Sequence, residues 1–331
     1  MKKIVRVLFA SSFLGLAALL FLEYRIPALA LSIDSLFGAP IRAHLSALSA
    51  AADTSLAEGL LLLLPIILVL FLVGALLAAK TAAATRRLAT LLLSFLLAFF
   101  AVYVLAFAPG QCRPPLADTL GISDAPPTED EVLSGVLWLS SLADADIPYP
   151  GDAALEARLR RALVEAGQAY GFTANSRVAV KKSRTALFLR LGYFGLYAFP
   201  LGEITLTSEC PEATRAFTLA HEMAHASGFS REEEADAVAF LSCLDSNDPY
   251  LVSAAATGML GRALCALYES APALWERASG MLSEGVRQEL SDAGRVYEQG
   301  MAETGAAVTE DYGAALRLLC AIYRARTNHR M

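Results

Sequence analysis

The sequence predicts an α+β protein: membrane-spanning helices at its N-terminal end, then a mostly helical domain with a small β-sheet. Three observations predict it. Uncharged runs long enough to cross a bilayer crowd the first third of the chain; capped, amphipathic helical patterns dominate the rest; and a short β-branched and aromatic stretch from Arg177 to Thr207 interrupts them. Composition agrees, since 56% of the 331 residues are hydrophobic, 18% are charged and the mean hydropathy is +0.48, too apolar for a wholly soluble chain. A net charge of −6 leaves no basic footprint for nucleic acid, and 5 cysteines without a CxxC pair argue against a disulfide scaffold or a thiolate zinc cluster.

Leu60 to Ala79 and Leu88 to Ala108 contain no charge over 20 and 21 residues, each matching about 30 Å of hydrocarbon. A shorter uncharged run, Val7 to Leu22, follows Lys2, Lys3 and Arg6, and the Arg6 stem can lengthen it by reaching to the interface. Spans are therefore expected at about 5–23, 60–79 and 88–108. A cleavable signal peptide ending at Ala28-Leu29-Ala30 is the alternative for the first. Lys80, Arg86 and Arg87 crowd the loop between the second and third spans, whereas Glu23 to Glu58 carries only Arg25 and Arg42. The basic residues place the N-terminus and the short loop in the cytoplasm and everything after Ala108 outside. The predicted location is thus the cytoplasmic membrane, with several spans in the lipid bilayer.

Five prolines between Pro109 and Pro127 predict a linker over 109–127, with the outward domain at 128–331. Thr128 and Glu131 form a capping box for a helix to Leu142, and Asp152 precedes an amphipathic helix from Ala153 to Tyr170 that Gly171 ends. Short strands are expected around Val178 and Val180, from Ala186 to Leu191, from Gly195 to Phe199 and from Glu203 to Thr207. The remainder from Pro211 to Arg326 reads as helical.

The residues that carry chemistry are HEMAH, 221 to 225. On a helix, His221 and His225 stand one turn apart on one face, where two imidazoles can hold one metal ion, and Glu222 flanks them as a general base. Zn2+ is the expected cofactor: held by neutral donors it lowers the pKa of a water toward about 7, so that the water can attack a peptide carbonyl while Glu222 moves the proton. The other two histidines, His44 and His329, read as surface residues.

A catalytic zinc needs a third protein ligand and an open position. Gly228 can turn the chain, Ser230 and Glu233 form a second capping box, and Glu232 and Asp236 then share one face of the next helix. Glu234 lies about 200° round that helix from Glu232, so both cannot face one metal. Glu232 is the favoured ligand, Glu234 the alternative, and three glutamates also suit a helix N-terminus with no ligand role. Asp236 opens an otherwise apolar run and needs a partner; the second ring N–H of a ligand histidine is the obvious one.

HExxH followed by Glu232-Glu233-Glu234-Ala235-Asp236 resembles the gluzincin pattern of zinc metallopeptidases, with a short gap between His225 and Glu232. The whole layout is similar to the bacterial domain-of-unknown-function 3810 family, membrane proteins with an outward HExxH domain, through GLYAFPLGEITLT (195–207), FTLAHEMAHASGFSREEEADAVAFLSCL (217–244) and VTEDYGAALRLL (308–319). That family usually has Asn at Asp236 and Ser at Asp311. The gluzincin resemblance implies a zincin-like outer domain; the 3810 family carries no established substrate, and the HExxH chemistry with the outward placement predicts a membrane-anchored hydrolase acting on peptide or protein substrates outside the membrane. A non-catalytic zinc-binding sensor or scaffold is the rival reading. Tyr250 and Tyr312 are candidate donors to the oxyanion, and the Glu203 to Thr207 strand is a candidate edge for pairing with an extended substrate. Cys243 and Cys265 read as packing residues, and a Cys112 to Cys210 link is a possibility.

Overall fold

The computed structural model describes residues 3–123, 125–301 and 312–328. Helix α1 (Lys3–Arg25) leads through α2 (Pro27–Ile33) and a π-helical turn (Asp34–Gly38) into α3 (Ala39–Ser49). Helices α4 (Leu56–Ala78) and α5 (Ala82–Val102) then form a hairpin, and α5 runs through a second π turn (Tyr103–Phe107) into α6 (Ala108–Cys112). Next come α7 (Leu116–Leu120), α8 (Glu129–Leu142), α9 (Asp152–Tyr170), β1 (Ala179–Lys182), α10 (Leu187–Arg190), β2 (Gly195–Ala198) and β3 (Glu203–Leu206). The chain is completed by α11 (Glu212–Ala226), α12 (Glu232–Leu244), α13 (Pro249–Ser270), α14 (Pro272–Gly280), α15 (Glu284–Met301) and α16 (Tyr312–Asn328).

Local chemistry explains where the apolar helices start. Ser55 accepts from Glu58 N–H and Thr81 from Ala84 N–H, so α4 and α5 begin at their caps, several residues before the uncharged runs. By length and composition the helices Val7–Arg25, Leu56–Ala78, Ala82–Cys112 and Pro249–Ser270 could each cross a membrane. The last differs in kind: 61% of its apolar window is buried, against none of the Leu56–Ala78 window, because α13 forms the middle of the domain. Helix α11 packs on α12 and α13, with α8, α9 and α16 outside them. The α11–α13 approach requires Gly258, where an added Cβ would lie 2.3 Å from Phe217.

The capping box of α8 is present, as is the left-handed Gly171 that ends α9. The sheet has the order β1-β3-β2, with β1 parallel and β2 antiparallel to β3. Where a strand was expected over Ala186 to Leu191, the chain makes the helical turn α10, which buries the adjacent Phe188 and Leu189 together. The proline-rich stretch also departs from a bare linker. Pro109 and Gly110 are buried, Leu116 N–H donates to Glu234, and α6 and α7 are packed elements. Cys112 and Cys210 are both free thiols and form no link, and Cys265 is exposed rather than a packing residue.

The segment between the first two long helices is docked on the domain through buried polar groups. The Glu203 carboxylate, wholly buried, accepts from Lys181 Nζ (2.6 Å), Ser49 Oγ (2.6 Å), Ala57 N–H (2.8 Å) and Ser55 Oγ (3.1 Å). Arg42, 2% exposed, donates to Asp34 (2.6 Å) and to the carbonyls of Ala106 (2.8 Å) and Ser227 (3.3 Å). Removing one partner of such a buried pair strands the other charge in the interior. Glu203→Ala is therefore expected to destabilise the full-length protein by about 3–5 kcal/mol, read from the unfolding midpoint in detergent. Lys182→Ala, which deletes the exposed pair with Asp152, should cost no more than about 1 kcal/mol.

Candidate metal centre

Helix α11 brings His221 and His225 to one face, and their Nε2 atoms lie 3.0 Å apart with the rings nearly perpendicular. Gly228, at φ +100°, turns the chain, and an added Cβ there would lie 2.6 Å from Arg42 Nη2. The turn leads into α12, whose N-cap is Arg231 without a side-chain cap. Ser230, expected as that cap, instead donates its hydroxyl to the Phe107 carbonyl (3.0 Å) at the end of the third long helix. Glu232 then opens α12 with Oε2 3.1 Å from His221 Nε2 and 3.4 Å from His225 Nε2. Glu234 points elsewhere, accepting from Leu116 N–H (2.8 Å) and Arg231 (2.8 Å).

Proton accounting shows why these atoms suit a cation. His221 Nδ1 lies 2.7 Å from Asp236 Oδ1, and His225 Nδ1 lies 2.6 Å from the Phe229 carbonyl. An ionised carboxylate and a carbonyl only accept, so both Nδ1 atoms carry the hydrogen and the Nε2 atoms of the neutral rings present bare lone pairs. In the neutral rings two lone pairs and a carboxylate oxygen thus converge within 3.0–3.4 Å, a gap that a proton or a metal ion has to fill. Ligands about 2.05 Å from a tetrahedral zinc are separated by about 3.3 Å, so the triangle has the edge length that zinc requires. Among the described residues, His221, His225 and Glu232 form the group whose ligand atoms lie within 4.8 Å of one another.

The electrostatics point the same way. Burial opposes a charge on His221, but the Asp236 carboxylate and its hydrogen bond, helped by Glu232 and Glu222, outweigh it and push the imidazole up to about 10. Burial likewise opposes ionisation of Glu232, yet in the metal-free pocket His221 and His225, when protonated on Nε2, hold its carboxyl well below the usual range. Asp236 is buried too, and the neighbouring Arg262 (3.3 Å) and His221 keep it ionised. A pocket that draws a proton onto a buried imidazole favours positive charge. Glu222 goes the other way, because burial raises its carboxyl more than the two histidines lower it. Its Oε2 accepts from the Tyr197 N–H of β2 at 2.7 Å.

The three donor atoms open on a cleft of about 280 Å³ walled by Tyr193, Tyr197, Phe199, Thr218, Arg262 and Phe107. Tyr250 is not among its walls: its hydroxyl donates to the Glu212 carbonyl (3.3 Å), at the far end of α11. Tyr312 begins α16, and its side chain lies outside the described residues, as does His329. The edge next to the site is β2 rather than the Glu203 to Thr207 strand, because β3 pairs on both sides and is buried throughout. Thr207 N–H donates to Phe194 O, so in the antiparallel register the backbone of Gly195 and Tyr197 points away from β3, toward Glu222. Arg262 escaped the sequence reading, although its signal was present: it is the one charge in α13 before Glu269.

If Asp236 orients His221, Asp236→Ala should weaken zinc binding about 10- to 100-fold, measured by competition with a chromogenic chelator. Asp236→Asn keeps an acceptor for His221 Nδ1–H and should retain most of the affinity, whereas an unchanged affinity in Asp236→Ala would remove Asp236 from the site.

No curated protein and no solved structure matches the chain. A family described as a protein of unknown function, DUF3810, matches residues 36–316, and the chain belongs to that family.

Proposed function

We propose that the chain is a membrane-anchored zinc peptidase that hydrolyses peptides or proteins outside the cytoplasmic membrane. One observation carries the reading: two proton-locked imidazoles and the Glu232 carboxylate aim their bare donor atoms at one point beside an open cleft. Zinc held there supplies Lewis acidity, which activates water at neutral pH and polarises a carbonyl.

The chain's own residues divide the remaining work. Glu222, with one oxygen fixed by Tyr197 N–H and its carboxyl raised by burial, accepts the proton of the attacking water and delivers it to the leaving amine. The outer edge of β2 offers the backbone groups of Gly195 and the Tyr197 carbonyl for an extended peptide, the Tyr197 N–H being held by Glu222. Arg262 and Tyr193 on the cleft wall take the place of Tyr250 as donors to a developing oxyanion. The basic residues Lys80, Arg86 and Arg87 between α4 and α5 set the orientation, with the domain outside.

A sensor or scaffold would need zinc only as a clip, and a structural site is closed by a fourth protein ligand. The cluster among the described residues has three, and the base-like Glu222 stands beside it. Glu222→Gln separates the two readings. Hydrolysis of a broad peptide library should fall by about 10²- to 10⁴-fold while zinc content is kept. A zinc-loaded parent protein that cuts nothing in that library would favour the sensor.

A further inference from the structure

The cleft is built against the lipid-facing part of the molecule. Phe199, at the β2–β3 turn, is one of its walls. The same ring packs on Phe107 (4.7 Å), Tyr103 (6.4 Å) and Phe99 (5.9 Å), one face of the third long helix followed down two turns. Phe99 is 43% exposed and continues into exposed Leu96 and Phe95, whereas beyond Val102 the helix is progressively covered by the domain. One phenylalanine ring thus separates the metal cleft from the apolar band. A second contact fixes the same level. Glu58, at the start of α4, accepts from the backbone N–H groups of Arg184 and Thr185 (both 2.8 Å), and Leu60, two residues on, is already half-exposed. The chain from Arg184 to Phe199 therefore lies along the interface where both helices enter lipid, and it presents exposed Leu191 and Tyr193 beside the cleft.

The height is short. Phe99 and Phe107 are eight residues apart on the helix, about 12 Å along its axis, and an extended chain covers that in about four residues. Resting on the peptidase reading, we propose that the substrate is the membrane-proximal segment of a membrane-anchored polypeptide, cut within about four residues of the bilayer surface. The β2 edge selects a polypeptide rather than a lipid, since it offers backbone pairing. Anchoring in the same bilayer holds that segment at the cleft at high effective concentration.

The test uses the full-length protein in phosphatidylethanolamine and phosphatidylglycerol vesicles. Reporters carry one membrane span and a degenerate juxtamembrane segment, placed directly after the span or beyond a Gly-Ser spacer of about 30 residues, which moves it about 30 Å away. Released fragments are read by mass spectrometry. The near segment should be cut at least about tenfold faster than the far one, and faster than the same segment without a span. Equal rates for all three would overturn the inference and leave the peptidase standing. A cross-linking arm works without turnover: p-benzoylphenylalanine at exposed Tyr193, in the Glu222→Gln background, should capture the near reporter and not the far one. Such capture with no cleavage by the parent would support the membrane-proximal partner and remove the peptidase. Neither capture nor cleavage would overturn both.

Discussion

The geometry of the site depends on two hydrogen bonds, His221 Nδ1–H to Asp236 and His225 Nδ1–H to the Phe229 carbonyl. They fix the tautomers of the neutral rings, and those tautomers leave both converging Nε2 atoms able to serve a cation rather than each other. Asp236 and Phe229 must therefore be held as firmly as the histidines. Phe229 is wholly buried and follows Gly228, whose positive φ and lack of a side chain let the Arg42 guanidinium approach the turn. Arg42 comes from α3 and is held by Asp34 and by the Ala106 carbonyl at the end of the third long helix. The carbonyl that orients His225 thus rests on a loop braced by the membrane-flanking helices.

The same dependence runs through the sheet. Strand β2 fixes Glu222 through Tyr197 N–H and pairs with β3, and the first residue of β3 is the buried Glu203 that Ser49, Ser55 and Ala57 satisfy. Coulomb attraction between Glu203 and Lys181 alone would not offset the loss of hydration of two buried charges. Three further donors to the carboxylate, from outside the sheet, make the arrangement tenable. The segments beside the long apolar helices thus complete the polar groups that position Glu222, the proposed base.

Much of this was legible in the sequence where the cause is local. The HExxH spacing, the cap at Thr128, the stop at Gly171 and the facing of Glu232 and Asp236 follow from helix geometry within one or two turns. What stayed hidden depends on distant partners. Ser230 matches a cap pattern, yet Phe107 captures its hydroxyl from more than a hundred residues away. The strand before α11 is central rather than an edge, because β1 and β2 both claim it. The prolines after Ala108 signal a linker by composition, but burial of Pro109 and Gly110 against the site loop makes them packed structure. Tyr250 had the right chemistry and the wrong end of α11, which only the packing of α13 reveals.

The claim on which the rest stands is that three donor atoms, from His221, His225 and Glu232, hold one zinc ion. Elemental analysis of the full-length protein purified in detergent, alongside His221→Ala, Glu232→Ala and Glu234→Ala, tests it directly. About one zinc per chain in the parent and in Glu234→Ala, lost in the other two, is the predicted result. Loss in Glu234→Ala with retention in Glu232→Ala would reassign the third ligand, and a parent that takes up no metal when zinc is supplied would contradict the metal site altogether.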